Sequence, residues 1–236
     1  MVKNPVSSST GEKHMDDIGR AFSFPFRDPQ WFVKFLIGSL MCLLCVVGVG
    51  FFILAGYFIQ ITQRAIRNDE PGLPDWSGIG NKLVLGVKIV IVYLVYLLPV
   101  ILLMIPLFPL AILTERPEAG DLIGLFSLVY FFGFTLLIVP YSIALTIASP
   151  IINYRFALNE RIGDALDIGA IIRDFGKNWQ NVLVVVLITI GVQSFAWIGV
   201  VLFLVGVLFT ILYSYMVPAY LSGLLHRDTI RKERVV

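Results

Sequence analysis

Cys42 and Cys45 stand in a C-x-x-C spacing, the arrangement that elsewhere makes a redox pair or half of a zinc site. Here the run is Met41-Cys42-Leu43-Leu44-Cys45, apolar throughout. A thiolate is costly in such surroundings, no basic neighbour lowers its pKa, and no second cysteine pair or nearby histidine completes a zinc set. Both cysteines therefore read as small buried apolar residues. The two histidines, His14 and His226, fall in polar tails far apart in the chain. Asp69, Glu70 and Asp75 place three carboxylates within seven residues, the raw material of a cation site. Interleaved with Pro71, Gly72 and Pro74, they read instead as a rigid solvated turn.

Four windows, 35–63, 89–114, 122–154 and 182–225, hold no charged residue and no histidine, and together they exceed half of the 236 residues. Their emptiness removes the carboxylate pairs, Ser–His pairs and metal–His sets that catalysis within lipid requires. It also removes the ionisable relay of a proton-coupled carrier. No phosphate-cradling Gly-rich loop follows a strand, so neither ATP nor a nicotinamide cofactor is expected. The reading is non-enzymatic, with no catalytic, cofactor-binding or metal residue. The polar groups left within the apolar sequence include Ser127, Thr135, Thr189, Gln193 and Ser194, with Lys88 just outside it. Gln193 is singled out for a hydrogen bond to another helix, and secondarily for a ligand contact. Lys88, about one and a half turns inside its helix, is placed to snorkel to phosphate headgroups, with a substrate contact as the lesser reading.

The elements that carry these residues are set by the apolar windows. Hydrophobic residues make up 58% of the chain and charged residues 14%, against roughly 45–50% and 25% in a soluble domain. An uncharged apolar run of about 18 residues spans the hydrocarbon core of a bilayer, about 30 Å thick. A soluble globular domain, a disordered chain and a disulfide scaffold are excluded, and a net charge of +2 gives no case for nucleic acid. The fold class is all-α: a polytopic helical membrane protein of about six passes, arranged as three hairpins over 32–63, 83–152 and 182–225. Residues 1–30 form a polar tail, partly disordered, without the apolar stretch and cleavage site of a secretory signal. Residues 31–225 form one membrane domain, and 226–236 a charged tail.

Orientation follows from the basic residues. If window 35–63 turns back on itself, 17 of the 18 Lys and Arg share one side, and Arg116 alone lies on the other. A single crossing there gives 6 against 12. The hairpin is preferred, turning at Gly48-Val49-Gly50, with short arms that make it re-entrant or bilayer-thinning. One long tilted helix with the N-terminus outside is the alternative. All three hairpins then open toward the cytoplasm, both termini are cytoplasmic, and the membrane is the cell (inner) membrane. Trp31, Trp76 and Trp179 fall at the cytoplasmic interface and Trp197 at the outer turn, where tryptophan is enriched.

Local signals refine this plan. Asp28 and Pro29 suit a helix start before Trp31. Pro99, Pro106 and Pro109 predict a break in the outer half of the first long helix of the second hairpin. Ile168, Ile171, Ile172, Phe175 and Trp179 share one helical face, with Asp167 as cap, a stop near Gly176, and Arg173, Asp174 and Lys177 facing water. This is an amphipathic helix in the cytoplasmic interface, packed on lipid or on the bundle. The returning arms end alike, on Gly56-Tyr57, on Pro150 with Tyr154, and on Pro218 with Tyr220, which reads as interface composition rather than as a decayed repeat.

The succession Gly56-Tyr57, Arg64, Arg67, an acidic Pro-containing turn to Asp75-Trp76, then Gly86, Lys88, Tyr96 and Pro99 resembles the prokaryotic membrane proteins grouped as domain of unknown function 4013. Pro150, Tyr154, the amphipathic connector and Leu221-Ser222-Gly223 are similar too. The resemblance implies a multi-helix integral membrane protein and supplies no activity or site residues. The functional expectation is an accessory or scaffold subunit of a larger membrane complex, with the bilayer and other membrane proteins as partners. A permease-like protein for an apolar or lipidic molecule is the alternative, and it would need a continuous cavity near Pro99, Pro109 and Gln193.

Overall fold

The computed structural model describes residues 19–68, 72–114, 120–198 and 203–233. The readings made of the N-terminal tail with His14, of Asp69 and Glu70, of Arg116, and of the Trp197 side chain lie outside the described residues. Among those described there is no strand. The helices are α1 (Gly19–Arg27, closing in a 3-10 turn), α2 (Trp31–Leu43, prolonged by the 3-10 turn Leu44–Val47), α3 (Val49–Arg67), α4 (Ile79–Met104), α5 (Leu107–Thr114), α6 (Asp121–Asn159), α7 (Ile162–Leu166), α8 (Ile168–Ile198) and α9 (Phe203–Glu233). Five spans are long and apolar enough to cross a membrane, and six if the α1–α2 pair, bent by 95°, counts as one. The chain is a helical membrane protein. α9 continues to Glu233, so most of the charged C-terminal stretch extends that helix.

Window 35–63 is a hairpin. Gly48 has φ +87°, which favours glycine, and there the chain leaves the 3-10 turn and starts α3. Both ends of the hairpin reach the same connector: Lys34 in the first turn of α2 and Arg64 in the last turn of α3 both donate to the carbonyl of Leu73, at 2.8 and 3.1 Å. One continuous helix would hold those two residues at opposite ends of a rod about 45 Å long. The start of α2 differs in detail from the sequence signal. Trp31 opens the helix with Gln30 as its uncapped N-cap, and the Asp28 carboxylate is engaged elsewhere.

α3 and α4 cross with their backbones in contact. A Cβ on Gly56 would overlap the Lys82 carbonyl, and one on Gly86 the Phe52 carbonyl, so the two glycines face each other across the crossing. Close approach of this kind is how helices pack in a membrane, where burial from water contributes little between helices. α3 and α6 end close together, where the Gln63 amide donates to the Ala157 carbonyl. α9 ends there too, with Thr62 donating to the Ala219 carbonyl and Asn178 of α8 donating to Thr229. Most of the basic residues outside the tails gather at this end.

Among the described residues the buried core is concentrated toward that end, and the outer parts of α4, α5 and α6 contribute none of it. Ile59, Leu85, Ile89, Val92, Ile151, Ile152, Phe156, Val182 and Leu225 form its main cluster. In α4 the buried residues stop at Val92, in α6 they begin at Pro150, and α5 has none. Beyond those limits α4, α5 and α6 form an arm held together mainly by tyrosines. Tyr130 donates to the Leu103 carbonyl at 2.9 Å, Tyr93 to Asn153 at 3.0 Å, and Tyr141 to the Tyr96 carbonyl. The predicted break falls at Ile105–Pro106, between α4 and α5. Pro140, Pro150 and Pro218 lie inside continuous helices.

The amphipathic segment is the first part of α8. Asp167 Oδ1 accepts the Ala170 N–H at 3.0 Å, as a cap does. The stop falls at Asn178, whose φ −134° and ψ 25° break the helix without ending it, two residues past Gly176. The apolar face divides. Ile171 and Phe175 pack into the core, while Ile168, Ile172 and Trp179 remain exposed beside it. Arg173 and Lys177 point outward as the pattern predicts, but Asp174 does not.

Candidate functional site

Two polar knots at the basic end collect much of the described chemistry-bearing side chains. The first ties α1, α2, α3 and the α3–α4 connector together. Asp28 Oδ2 accepts from Lys34 Nζ and from the backbone N–H of Leu73, both at 2.8 Å, and Oδ1 accepts from the N–H of Gln30. Lys34 also pairs with Asp75 at 2.8 Å, and Trp76 Nε1 donates to the Lys34 carbonyl. The Trp76 ring lies flat on Tyr57, 4.2 Å away. Leu73 is fully buried among Phe24, Phe35 and Leu54. The turn expected to be solvated is therefore docked from Gly72 onward, because Leu73 is an apolar plug and its two backbone groups meet charged partners.

Charge in this knot is tightly assigned. Burial disfavours the ionised Asp28 carboxyl, but the hydrogen bonds from Lys34, Gln30 and Leu73 outweigh it and hold the group below the usual carboxylate range. The hydrogen bond from Lys34 lowers Asp75 as well.

The second knot fastens the α6–α8 connector. Asp174 Oδ2 accepts from Arg155 Nη1 at 2.8 Å and from the Tyr154 hydroxyl at 2.6 Å, so the residue predicted to face water is turned inward. Arg155 Nε also donates to the Asp164 carbonyl, and Asn159 to the Asp164 carboxylate. The His226 ring lies 5.1 Å from that of Tyr154. Asp174 is thereby occupied as an acceptor on one oxygen by two donors, which suits it to hold the connector rather than to take a proton from a substrate.

The residues singled out from sequence do not converge. Gln193 is exposed on the outer face of α8 and makes no hydrogen bond to another helix among the described residues. The reason is rotational: Val192, next to it, takes the inward position. Lys88 reaches the Glu160 carbonyl at 3.5 Å, a long contact at the exposed end of α6. Cys42 and Cys45 are unlinked and half-buried at the far end of α2, and Cys45 donates back to the Met41 carbonyl. Among the described residues no group of three or more His, Cys, Asp or Glu is placed to hold a metal. Sequence reasoning missed Lys34 and Lys82 as site residues; their signal was a lone lysine at the edge of an apolar stretch, in Trp31-Phe32-Val33-Lys34-Phe35 and Asn81-Lys82-Leu83-Val84.

The family described as "Protein of unknown function (DUF4013)" matches residues 39–210, which covers both knots except for Asp28, Lys34 and the end of α9. No curated protein and no solved structure matches the chain.

Proposed function

We propose, from the premise that this chain belongs to the DUF4013 family of proteins of unknown function, that it is a non-enzymatic accessory or scaffold subunit of a larger membrane complex. The observation that supports this is the arm formed by the outer parts of α4, α5 and α6. Phe126, Val129, Phe132, Leu136 and Leu137 are all more than half exposed, and at helical spacing they share one broad face of α6. α6 turns one face to α4 and α5, and its uncovered apolar face is a surface available to partner helices, while Ser127, Thr135 and Ser142 donate within their own helix. In this reading the basic end faces the cytoplasm of a prokaryotic cell and the arm reaches toward the outer leaflet. The experiment is site-specific photo-crosslinking from positions 126, 132 and 136 in native membranes, with position 36 on α2 as control, followed by gentle extraction. One defined protein crosslinked from the arm and not from α2, within an assembly larger than the monomer, is expected. A lone monomer with no crosslink from any arm position overturns the proposal.

The break between α4 and α5 favours a second reading, a permease for an apolar or lipidic molecule. Gln193 has no part in it, since that side chain faces outward on α8. Substrate-independent crosslinking of the arm to a partner, with wild-type behaviour of a Pro106→Ala variant, would dispose of this reading.

A further inference from the structure

We infer that the basic end of the molecule is seated within one leaflet of the bilayer on two surface elements, α1 and the first part of α8, whose exposed apolar side chains Phe22, Phe26, Ile168 and Ile172 enter the boundary between headgroups and acyl chains.

α1 meets α2 at 95°, so with α2 entering the membrane α1 runs along its surface. The rest of the fold fixes its roll. Ala21 is fully buried in one cluster with Val185 of α8 and with Leu221 and Leu224 of α9. Tyr213 donates to the Phe22 carbonyl at 3.0 Å, and the Phe24 ring stacks on Tyr220 at 4.4 Å. These contacts leave Phe22 and Phe26 outside, 38% and 52% exposed, with Arg27 beside them. Val185 lies in the uncharged window 182–225, so the element packed on it is at the depth of lipid and not clear of the headgroups.

The first part of α8 is held by Ile171 and Phe175 in the core and by Asp174 in the second knot. At about 100° per residue, the surface left over follows a fixed order around the helix. Ile168 and Ile172 come next to the core face, then Gly169 and Gly176, and then Arg173 and Lys177, about 140° from the isoleucines. Apolar and basic sides set this far apart suit a helix with acyl chains on one side and headgroups and water on the other. The occupant follows from continuity. Trp179, just past the break at Asn178, is half exposed, and Leu187 and Ile190 carry the exposed apolar surface along the membrane-crossing part of α8. The two isoleucines are thus the end of a surface that lipid covers, and this sets lipid above a soluble protein or a second copy as their cover. The inference holds whichever side of the membrane the basic end faces, and it is independent of the partner assigned to the arm.

The test uses the full-length chain in vesicles of phosphatidylcholine and phosphatidylglycerol. Wild-type protein is photolysed with phosphatidylcholine that carries a diazirine high on one acyl chain, and is then cut with trypsin, which isolates 21–27 and 162–173 as separate fragments. Lipid adducts on Phe22 or Phe26 in the first fragment and on Ile168 or Ile172 in the second are expected. Nitroxides placed singly at 22, 26, 168, 172 and 173, with Cys42 and Cys45 replaced by Ser, report which way each position faces. Collision with oxygen should exceed collision with a water-soluble nickel chelate at least twofold at the first four positions, and the order should reverse at 173. Nickel exceeding oxygen at either pair of apolar positions turns that element to water and overturns the inference. Little collision with either reagent and no lipid adduct means that protein covers the element, a soluble partner or a second copy, and overturns it as well. Should a labelled variant fail to fold, the adducts on the wild-type fragments decide.

Discussion

Asp28 shows how much one carboxylate can hold at the residue scale. Its two oxygens receive the N–H of Gln30, the N–H of Leu73 and the ammonium of Lys34, so three segments of chain depend on it. Replacing it with Asn leaves Lys34 with the exposed Asp75 as its carboxylate partner, and losing the buried charge-assisted hydrogen bond costs about 2 kcal/mol. Unfolding of Asp28→Asn in detergent is expected to show that loss at neutral pH. The acid dependence has a definite sign. The folded Asp28 carboxyl ionises below the unfolded value of roughly 4, so its contribution is complete above that value and drains away as pH falls through the folded one. Asp75 adds in the same direction but by less, since its side chain is 67% exposed and solvent screens it. Stability of the wild type should therefore drop on acidification below about pH 4, and the Asp28→Asn variant should show a flatter limb there. An identical acid limb in both proteins would remove Asp28 from this role.

Among the elements, the α3–α4 crossing is the most exacting contact. Adding one methyl at Gly86 sets it against the Phe52 carbonyl, which is backbone and cannot rotate away. Gly86→Ala is expected to lose more than about 2 kcal/mol or to fail in assembly, whereas Gly124→Ala and Gly133→Ala, in open space on α6, should leave unfolding within about 0.5 kcal/mol of wild type. Equal stability of all three variants would mean that the helices can separate without loss. What the sequence discloses is the part governed by local rules. The turn at Gly48, the break near Pro106 and the amphipathic start of α8 all follow from composition and spacing within a few residues. The partners are another matter. Lys34 meets Leu73 across 39 positions and Gln63 meets Ala157 across 94, and no periodicity encodes which carbonyl a lysine or an amide will find. Asp174 illustrates the same limit, since the helical wheel turns it to water and the neighbouring Arg155 and Tyr154 draw it inward. Gln193 is the reverse case, a polar residue in an apolar run that faces outward beside the inward Val192.

For the molecule as a whole, the three hairpins and the distribution of Lys and Arg predict a sidedness that can be measured in intact cells. With Cys42 and Cys45 replaced by Ser, Glu118→Cys should react with an impermeant thiol reagent, while Lys13→Cys and Lys232→Cys should not. Labelling at 232 without labelling at 118 would reverse the proposed orientation. The order in which the chain is made adds a constraint of its own. The first hairpin is completed by the last helix: Leu212, Met216 and Ala219 of α9 fill the same cluster as Phe24, Phe35, Leu54 and Tyr57, and Thr62 donates to the Ala219 carbonyl 157 residues downstream. At ribosomal speeds of about 5–20 residues per second, the nascent α2–α3 pair waits on the order of 10–30 s for its closing partner. During that interval its inner face, with the Thr62 hydroxyl, must be sheltered by the insertion machinery or by a chaperone in the bilayer. A ribosome stalled before α9 emerges should therefore hold α3 in reach of that machinery, and release it only when translation resumes.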